Sequence, residues 1–254
     1  MTRFDLTGRT AIVTGAGRGI GKALALGLAE AGAQVAVVAR TEADLLEIVQ
    51  EIEEKGGKAH LITADLTEAG AAESVVAQTI EALGGLHILV NNAGMNLRKK
   101  ANEVTEEDWD RVVDLNLKAS FFMCQAAGKI MCEQNYGRIV NIASVAGLVA
   151  MRTGVAYGSS KAGLIQMTRV LALEWSKFGV NINAIAPWYF RTPLTEALLN
   201  DEAYLQEILQ RTPSGRIGDV EDLVGPAIFL SSDAAAYITG QTIPVDGGMS
   251  IFGF

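Results

Sequence analysis

Four glycines fall within the eight residues TGAGRGIG, at positions 15, 17, 19 and 21. They lie between a β-branched apolar run, TAIVT (10–14), and a stretch of helical apolar spacing from about 20 to 31. A strand that turns this tightly into a helix commits the chain to a crossover, because the helix must pack back on the sheet its strand belongs to. The turn also presents unpaired backbone N–H groups and the positive end of a helix dipole, with few side chains to hold a phosphate away. Gly15, Arg18, Gly19, Ile20 and Gly21 are therefore candidate contacts for a nucleotide pyrophosphate.

The alternation continues. Strands are predicted at 34–40, 58–63, 87–91, 137–142, 180–185 and 242–248, and helices at 42–55, 68–83, 105–132, 155–178 and 219–231. Repeated strand–helix units of this length mean a parallel sheet covered on both faces. Residues 188–218, WYFRTPLTEALLNDEAYLQEILQRTPSGRIG, break the pattern with helical periodicity and no strand, between Pro193 and Pro213. An insertion at the carboxyl edge of such a sheet is where a substrate lid is expected.

Ligands of open α/β sheets bind beyond the carboxyl ends of the strands. The second strand ends in Ala39 and Arg40, where an acidic residue would accept bonds from a ribose 2′-hydroxyl. Arg40 and Arg18 can instead hold a 2′-phosphate, so NADP(H) is expected over NAD(H). Asp65 and Leu66 follow the third strand and are candidates for the adenine; Asn92, Ala93 and Gly94 follow the fourth.

Tyr157 and Lys161 stand four apart in the predicted helix 155–178 and share one helix face. Two unit charges about 4 Å apart at an effective dielectric of about 20 interact by roughly 4 kcal/mol. That is about three pKa units, enough to bring a phenol toward neutrality, where general acid/base catalysis works best. Ser144, thirteen residues upstream, can donate a hydrogen bond to a substrate oxygen. Asn116 lies among apolar residues of the helix 105–132, so its amide must either tie the backbone or hold a water.

Composition excludes other classes. The net charge of −8 gives no broad basic field for nucleic acid or an anionic membrane, and no apolar run approaches the roughly 20 residues of a membrane helix. A cytoplasmic protein is expected, with residues 1–254 forming one domain. Cys124 and Cys132 lie eight apart, and His60 and His87 are isolated, so no metal site is expected.

Several motifs together resemble the short-chain dehydrogenases/reductases over essentially the whole chain. They are TGAGRGIG at 14–21, Asp65, NNAG at 91–94, Asn116, Ser144, YGSSK at 157–161, Pro187 with Thr192, and VDGG at 245–248. The resemblance implies a Rossmann-like, doubly wound sheet of seven parallel strands and a homotetramer built on the two long helices. It implies Tyr157 as acid/base and Ser144 as the group that polarises the carbonyl. Lys161 would lower the tyrosine pKa and bind the nicotinamide ribose, Asn116 would hold a relay water, and Pro187 and Thr192 would lie at the carboxamide.

The chain departs from the family at Trp188, where a glycine usually follows the proline. Asn96, Arg152, Trp188, Tyr189 and Phe190 are candidate substrate contacts. Among branches of the family, the sugar-acid and polyol dehydrogenases, gluconate 5-dehydrogenase among them, look most similar, with 3-oxoacyl-carrier-protein reductases next. Arg98, Lys99 and Lys100 could form a basic patch for an acidic carrier protein, whereas Arg152 and Arg191 could meet a sugar-acid carboxylate. A non-catalytic cofactor-binding scaffold would be expected to lack the tyrosine or the lysine, and both are present.

Overall fold

The computed structural model describes residues 3–152 and 154–253. Its strands are β1 (Thr10–Thr14), β2 (Gln34–Ala39), β3 (Ala59–Thr63), β4 (Ile88–Asn91), β5 (Gly137–Ile142), β6 (Val180–Pro187) and β7 (Thr242–Val245). Between them run α1 (Gly19–Glu30), α2 (Glu42–Glu54), α3 (Ala71–Leu83), α4 (Glu106–Val113), α5 (Ala119–Glu133), α6 (Val155–Trp175), α7 (Glu196–Leu199), α8 (Glu202–Gln210) and α9 (Val224–Ser231). The strands form one parallel sheet in the order β3-β2-β1-β4-β5-β6-β7. The order reverses between β1 and β4, which opens a crevice at their carboxyl ends.

Both sheet faces are covered, which is why the strands read as continuous apolar runs. Successive residues alternate between the two cores. Ala11, Val13, Val35 and Val37 pack with Leu24 and Leu28 of α1, Leu45 and Ile48 of α2 and Leu230 of α9. Ile12, Ala36 and Val38 pack on the opposite face with Val75 of α3, Met123 and Ala127 of α5, and Leu171 of α6.

The differences from the predicted boundaries have local causes. Helix α3 starts at Ala71 rather than 68 because Gly70, at φ +80°, and the Asp65 carboxylate, which accepts from the Thr67 amide and hydroxyl, fold 65–70 into a turn. The predicted helix 105–132 begins with a capping box between Thr105 and Asp108 and is interrupted by a π-helical turn at Asp114–Lys118. Strand β7 stops at Val245, because Asp246 turns its carboxylate back onto the amides of Gly248 and Ser250.

One buried polar chain links the elements that carry the site. Asn91 Nδ2, at the end of β4, donates to Asn141 Oδ1 of β5 at 2.9 Å, and Asn141 Nδ2 donates to Thr168 Oγ1 of α6 at 2.9 Å. Asn141 and Thr168 are fully buried. Removing the middle member leaves the buried Thr168 oxygen without its donor, whereas Asn91 Nδ2 keeps Cys124 Sγ at 3.2 Å. Asn141→Ala is therefore expected to lower the unfolding free energy by roughly 1–3 kcal/mol, read as a shift of the urea midpoint at unchanged slope. A loss below about 1 kcal/mol would contradict the linking role.

Candidate active site

The turn after β1 is built by close approach. Gly15 and Gly19 take φ of +63° and +57°, and a Cβ on Gly21 would sit 2.1 Å from the Gly15 carbonyl oxygen. Asn92 clamps the turn from the end of β4: its Nδ2 donates to the carbonyls of Thr14 and Gly15, and its backbone N–H donates to Thr14 Oγ1. Asn92 thus shapes the turn through its side chain. Helix α1 begins here with Arg18 at its N-cap, without a side-chain cap and without an acidic residue in its first turn. Helices α2, α3, α4 and α8 all carry acids there. The orphan N–H groups of α1 remain for an outside anion, so this turn fits a dinucleotide phosphate.

Beyond the turn lies a cleft of about 240 Å³. Gly15, Arg18, Gly19, Ile20 and Gly21 line one end, and Asn92, Ala93, Gly94 and Asn96 the floor. Ser144, Tyr157, Lys161, Pro187, Trp188, Tyr189, Phe190 and Thr192 close the rest. Arg40, Asp65 and Leu66 lie outside the cleft, at the ends of β2 and β3. Arg40 is 77% exposed with Nη1 3.9 Å from Asp65 Oδ2, and Leu66 packs at the margin of the core. Asp44, which the sequence reading did not weigh, packs against Gly17.

Ser144 follows β5 and accepts a hydrogen bond from the Ala146 amide at 3.1 Å. Tyr157 and Lys161 stand on one face of α6, but the amine is engaged elsewhere than at the phenol. Lys161 Nζ lies 5.8 Å from the phenol ring centroid and donates to the Ile142 carbonyl at 2.8 Å. Burial raises the Tyr157 phenol above its ordinary value; the Ser144 hydroxyl and the Arg98 charge act in the opposite direction. Burial pushes Lys161 down to about 8. The four-residue spacing identified the shared face but not the carbonyl that captures the amine.

Of the two roles open to Asn116, the first is observed. Its Oδ1 accepts from the Met95 amide, and its Nδ2 donates to the Met95 carbonyl and to Ser160 Oγ. The π turn supplies the register that aims this amide inward.

Trp188 turns into the site. Its Nε1 donates to Thr212 Oγ1 at 3.0 Å, and its ring meets Tyr189 edge-on at 4.7 Å. Burial pushes the Tyr189 phenol up to about 12, and its hydroxyl is shared with that of Tyr204. Phe190 is buried over Gly218. Arg152 departs from its expected place: it is exposed, paired with Glu207 of α8, and lines the neighbouring cavity rather than the cleft. Arg191 is also exposed and outside the cleft. Arg98 is exposed and borders two spaces: with Lys99 and Lys100 it lines an outer groove, and it also lines the cleft beside Tyr157, where it donates to Tyr189 Oη at 3.4 Å. Lys99 is held by Asp108 at 2.6 Å.

Among the described residues no group of three or more His, Cys, Asp or Glu side chains could hold a metal, and no helix is long and apolar enough to cross a membrane. Cys124 and Cys132 are free thiols.

A family model described as enoyl-(acyl carrier protein) reductase matches residues 15–250. The chain is 41% identical over 98% of both sequences to a 2-dehydro-3-deoxy-D-gluconate 5-dehydrogenase from Escherichia coli. It is also 41% identical to a 3-oxoacyl-[acyl-carrier-protein] reductase from Synechocystis, over 97% of this chain and 99% of that one. The crystal structure of a gluconate 5-dehydrogenase from Burkholderia cenocepacia, in complex with NADP and tartrate, superposes with a TM-score of 0.95 at 36% identity, covering 98% of each chain.

The depressed Lys161 pKa has a signature in stability. Between about 8 and the ordinary value of 10.5 the native amine is neutral while the unfolded one is protonated. The unfolded state then binds more protons, so stability from this group rises with pH across that window. The melting temperature of wild type minus that of Lys161→Met should increase from pH 7 to pH 10. A constant or falling difference would contradict the burial of this amine.

Proposed function

The chain belongs to the short-chain dehydrogenase/reductase family of oxidoreductases acting on CH–OH groups, and from that premise we propose that it interconverts a secondary alcohol and a ketone on a sugar acid, as a gluconate 5-dehydrogenase does. Arg98 carries the reading. Among the described residues it has no carboxylate partner; its only polar contact is the Tyr189 hydroxyl, and its charge reaches the Tyr157 phenol. A guanidinium with no counter-charge in a cleft is matched by a carboxylate on the substrate.

When bound, the nicotinamide cofactor supplies or accepts the hydride. Tyr157 protonates the carbonyl oxygen during reduction and removes the hydroxyl proton during oxidation. Ser144 donates to the same oxygen and favours the phenolate. Lys161 meets the nicotinamide ribose. Asn116 acts as a positioning residue by holding the Met95 backbone and Ser160, and Thr192 and Pro187 face the carboxamide. Residues 188–218 serve as the lid of the one domain.

NADP(H) is preferred over NAD(H), because Arg18 and the exposed Arg40 are available to a 2′-phosphate. Asp65 and Leu66 border the adenine. The protein works in the cytoplasm as a homotetramer; the apolar faces left exposed on α5 and α6, with Phe122 and Leu173 upon them, support that assembly.

Identity does not separate a sugar acid from a 3-oxoacyl thioester; the place of Arg98 beside Tyr157 favours the sugar acid. Of the three basic residues that could receive an acidic carrier, Arg98 is engaged by the Tyr189 hydroxyl of the cleft and Lys99 is neutralised by Asp108. The presence of Ser144, Tyr157 and Lys161 around one cleft speaks against a non-catalytic scaffold. The test compares NADPH-dependent reduction of 5-ketogluconate with that of an uncharged diketone. Arg98→Ala should lower kcat/KM for the ketogluconate by about 10- to 100-fold more than for the diketone, the scale of a charged hydrogen bond, the loss on the diketone reporting the Arg98 charge at Tyr157. Equal loss on both, or none, would sink the carboxylate role.

A further inference from the structure

Trp188 stands where three cavities meet. It lines the cleft of Ser144 and Tyr157 and a larger cavity of about 560 Å³ bounded by Met151, Tyr204 and Glu207. A third cavity touches it beside Thr212 and Asp246. The indole is fixed from two directions. On one side Nε1 donates to Thr212 Oγ1, and Thr212 in turn donates to the Ile208 carbonyl at 2.7 Å. On the other the ring abuts Tyr189, whose hydroxyl is 2.7 Å from that of Tyr204. An aromatic ring held by packing and a hydrogen bond is a rigid wall. A glycine here, the usual residue in the family, would leave only Met151 and Tyr189 bordering both the cleft and the larger cavity.

We propose that Trp188 is a specificity-determining residue that closes the far end of the substrate cleft and restricts the enzyme to compact carbonyl substrates. The cavity beyond it is a continuation of the cleft that the indole shuts off. The cleft holds about 240 Å³ and the space beyond the ring about 560 Å³, so removing the indole widens the passage from the smaller space toward the larger. The inference shares with the proposed function only the premise that a carbonyl reacts at Tyr157, and it does not depend on Arg98.

The test is NADPH oxidation across straight-chain diketones from butane-2,3-dione to octane-2,3-dione, on wild type, Trp188→Ala, Trp188→Phe and Thr212→Val. The expected wild-type kcat/KM falls by at least about tenfold along the series, the scale of one or two methylenes refused by a closed pocket. Trp188→Ala should flatten that profile or reverse it, and Trp188→Phe should keep most of the discrimination. Thr212→Val retains the ring but frees it, and should fall between. A flat wild-type profile overturns the proposal, as does a folded, NADPH-binding Trp188→Ala with the wild-type profile. Should Trp188→Ala fail to fold, a Thr212→Val profile identical to wild type would overturn it. The diketones carry no carboxylate, so failure on sugar acids leaves this test standing, and failure here leaves the Arg98 reading standing.

Discussion

The site depends on the seam between β1 and β4, where the order of the parallel sheet reverses and the Asn92 amide holds the carbonyls of Thr14 and Gly15. That clamp fixes a turn tight enough that Gly21 can carry no Cβ over the Gly15 oxygen. The turn aims the uncapped N-terminus of α1 into the crevice. On the far side of β4, the Asn91–Asn141–Thr168 chain sets where α6 lies. The anion-binding turn and the Tyr157 helix are thus referred to the same strand.

Around that frame, burial decides the electrostatics more than pairing does. A phenol raised by desolvation and an amine lowered to about 8 by the same cause share a helix face without touching. The Ser144 hydroxyl and the Arg98 guanidinium favour the phenolate against that burial. The amine is meanwhile held by the Ile142 carbonyl, close to Gly94 at the end of the β4 loop. Lys161 is therefore held at the end of β5 rather than at the phenol.

Much of this was legible in the residues. The glycine turn, the strand–helix alternation and the Tyr157–Lys161 face are local features, and local periodicity and turn chemistry report them directly. The π turn at 114–118 was not legible, because its register follows from the bonds Asn116 makes to Met95, 21 residues away. The places of Arg98 and Arg152 were not legible for a related reason. A long cation goes where its partner is, and Glu207 of α8 and the cleft beside Tyr189 are tertiary facts. Trp188 was visible as a departure from the family, but its direction depended on Thr212, 24 residues on.

The central claim is that this cleft performs hydride transfer with Tyr157 as the proton donor. The most direct measurement is single-turnover reduction of a ketone by Tyr157→Phe, alongside NADPH binding by fluorescence titration. Removing a positioned general acid costs about 10²–10⁴-fold in rate, so the account predicts a loss on that scale with NADPH affinity within a few-fold of wild type. A variant that binds NADPH normally and keeps most of its rate would contradict it.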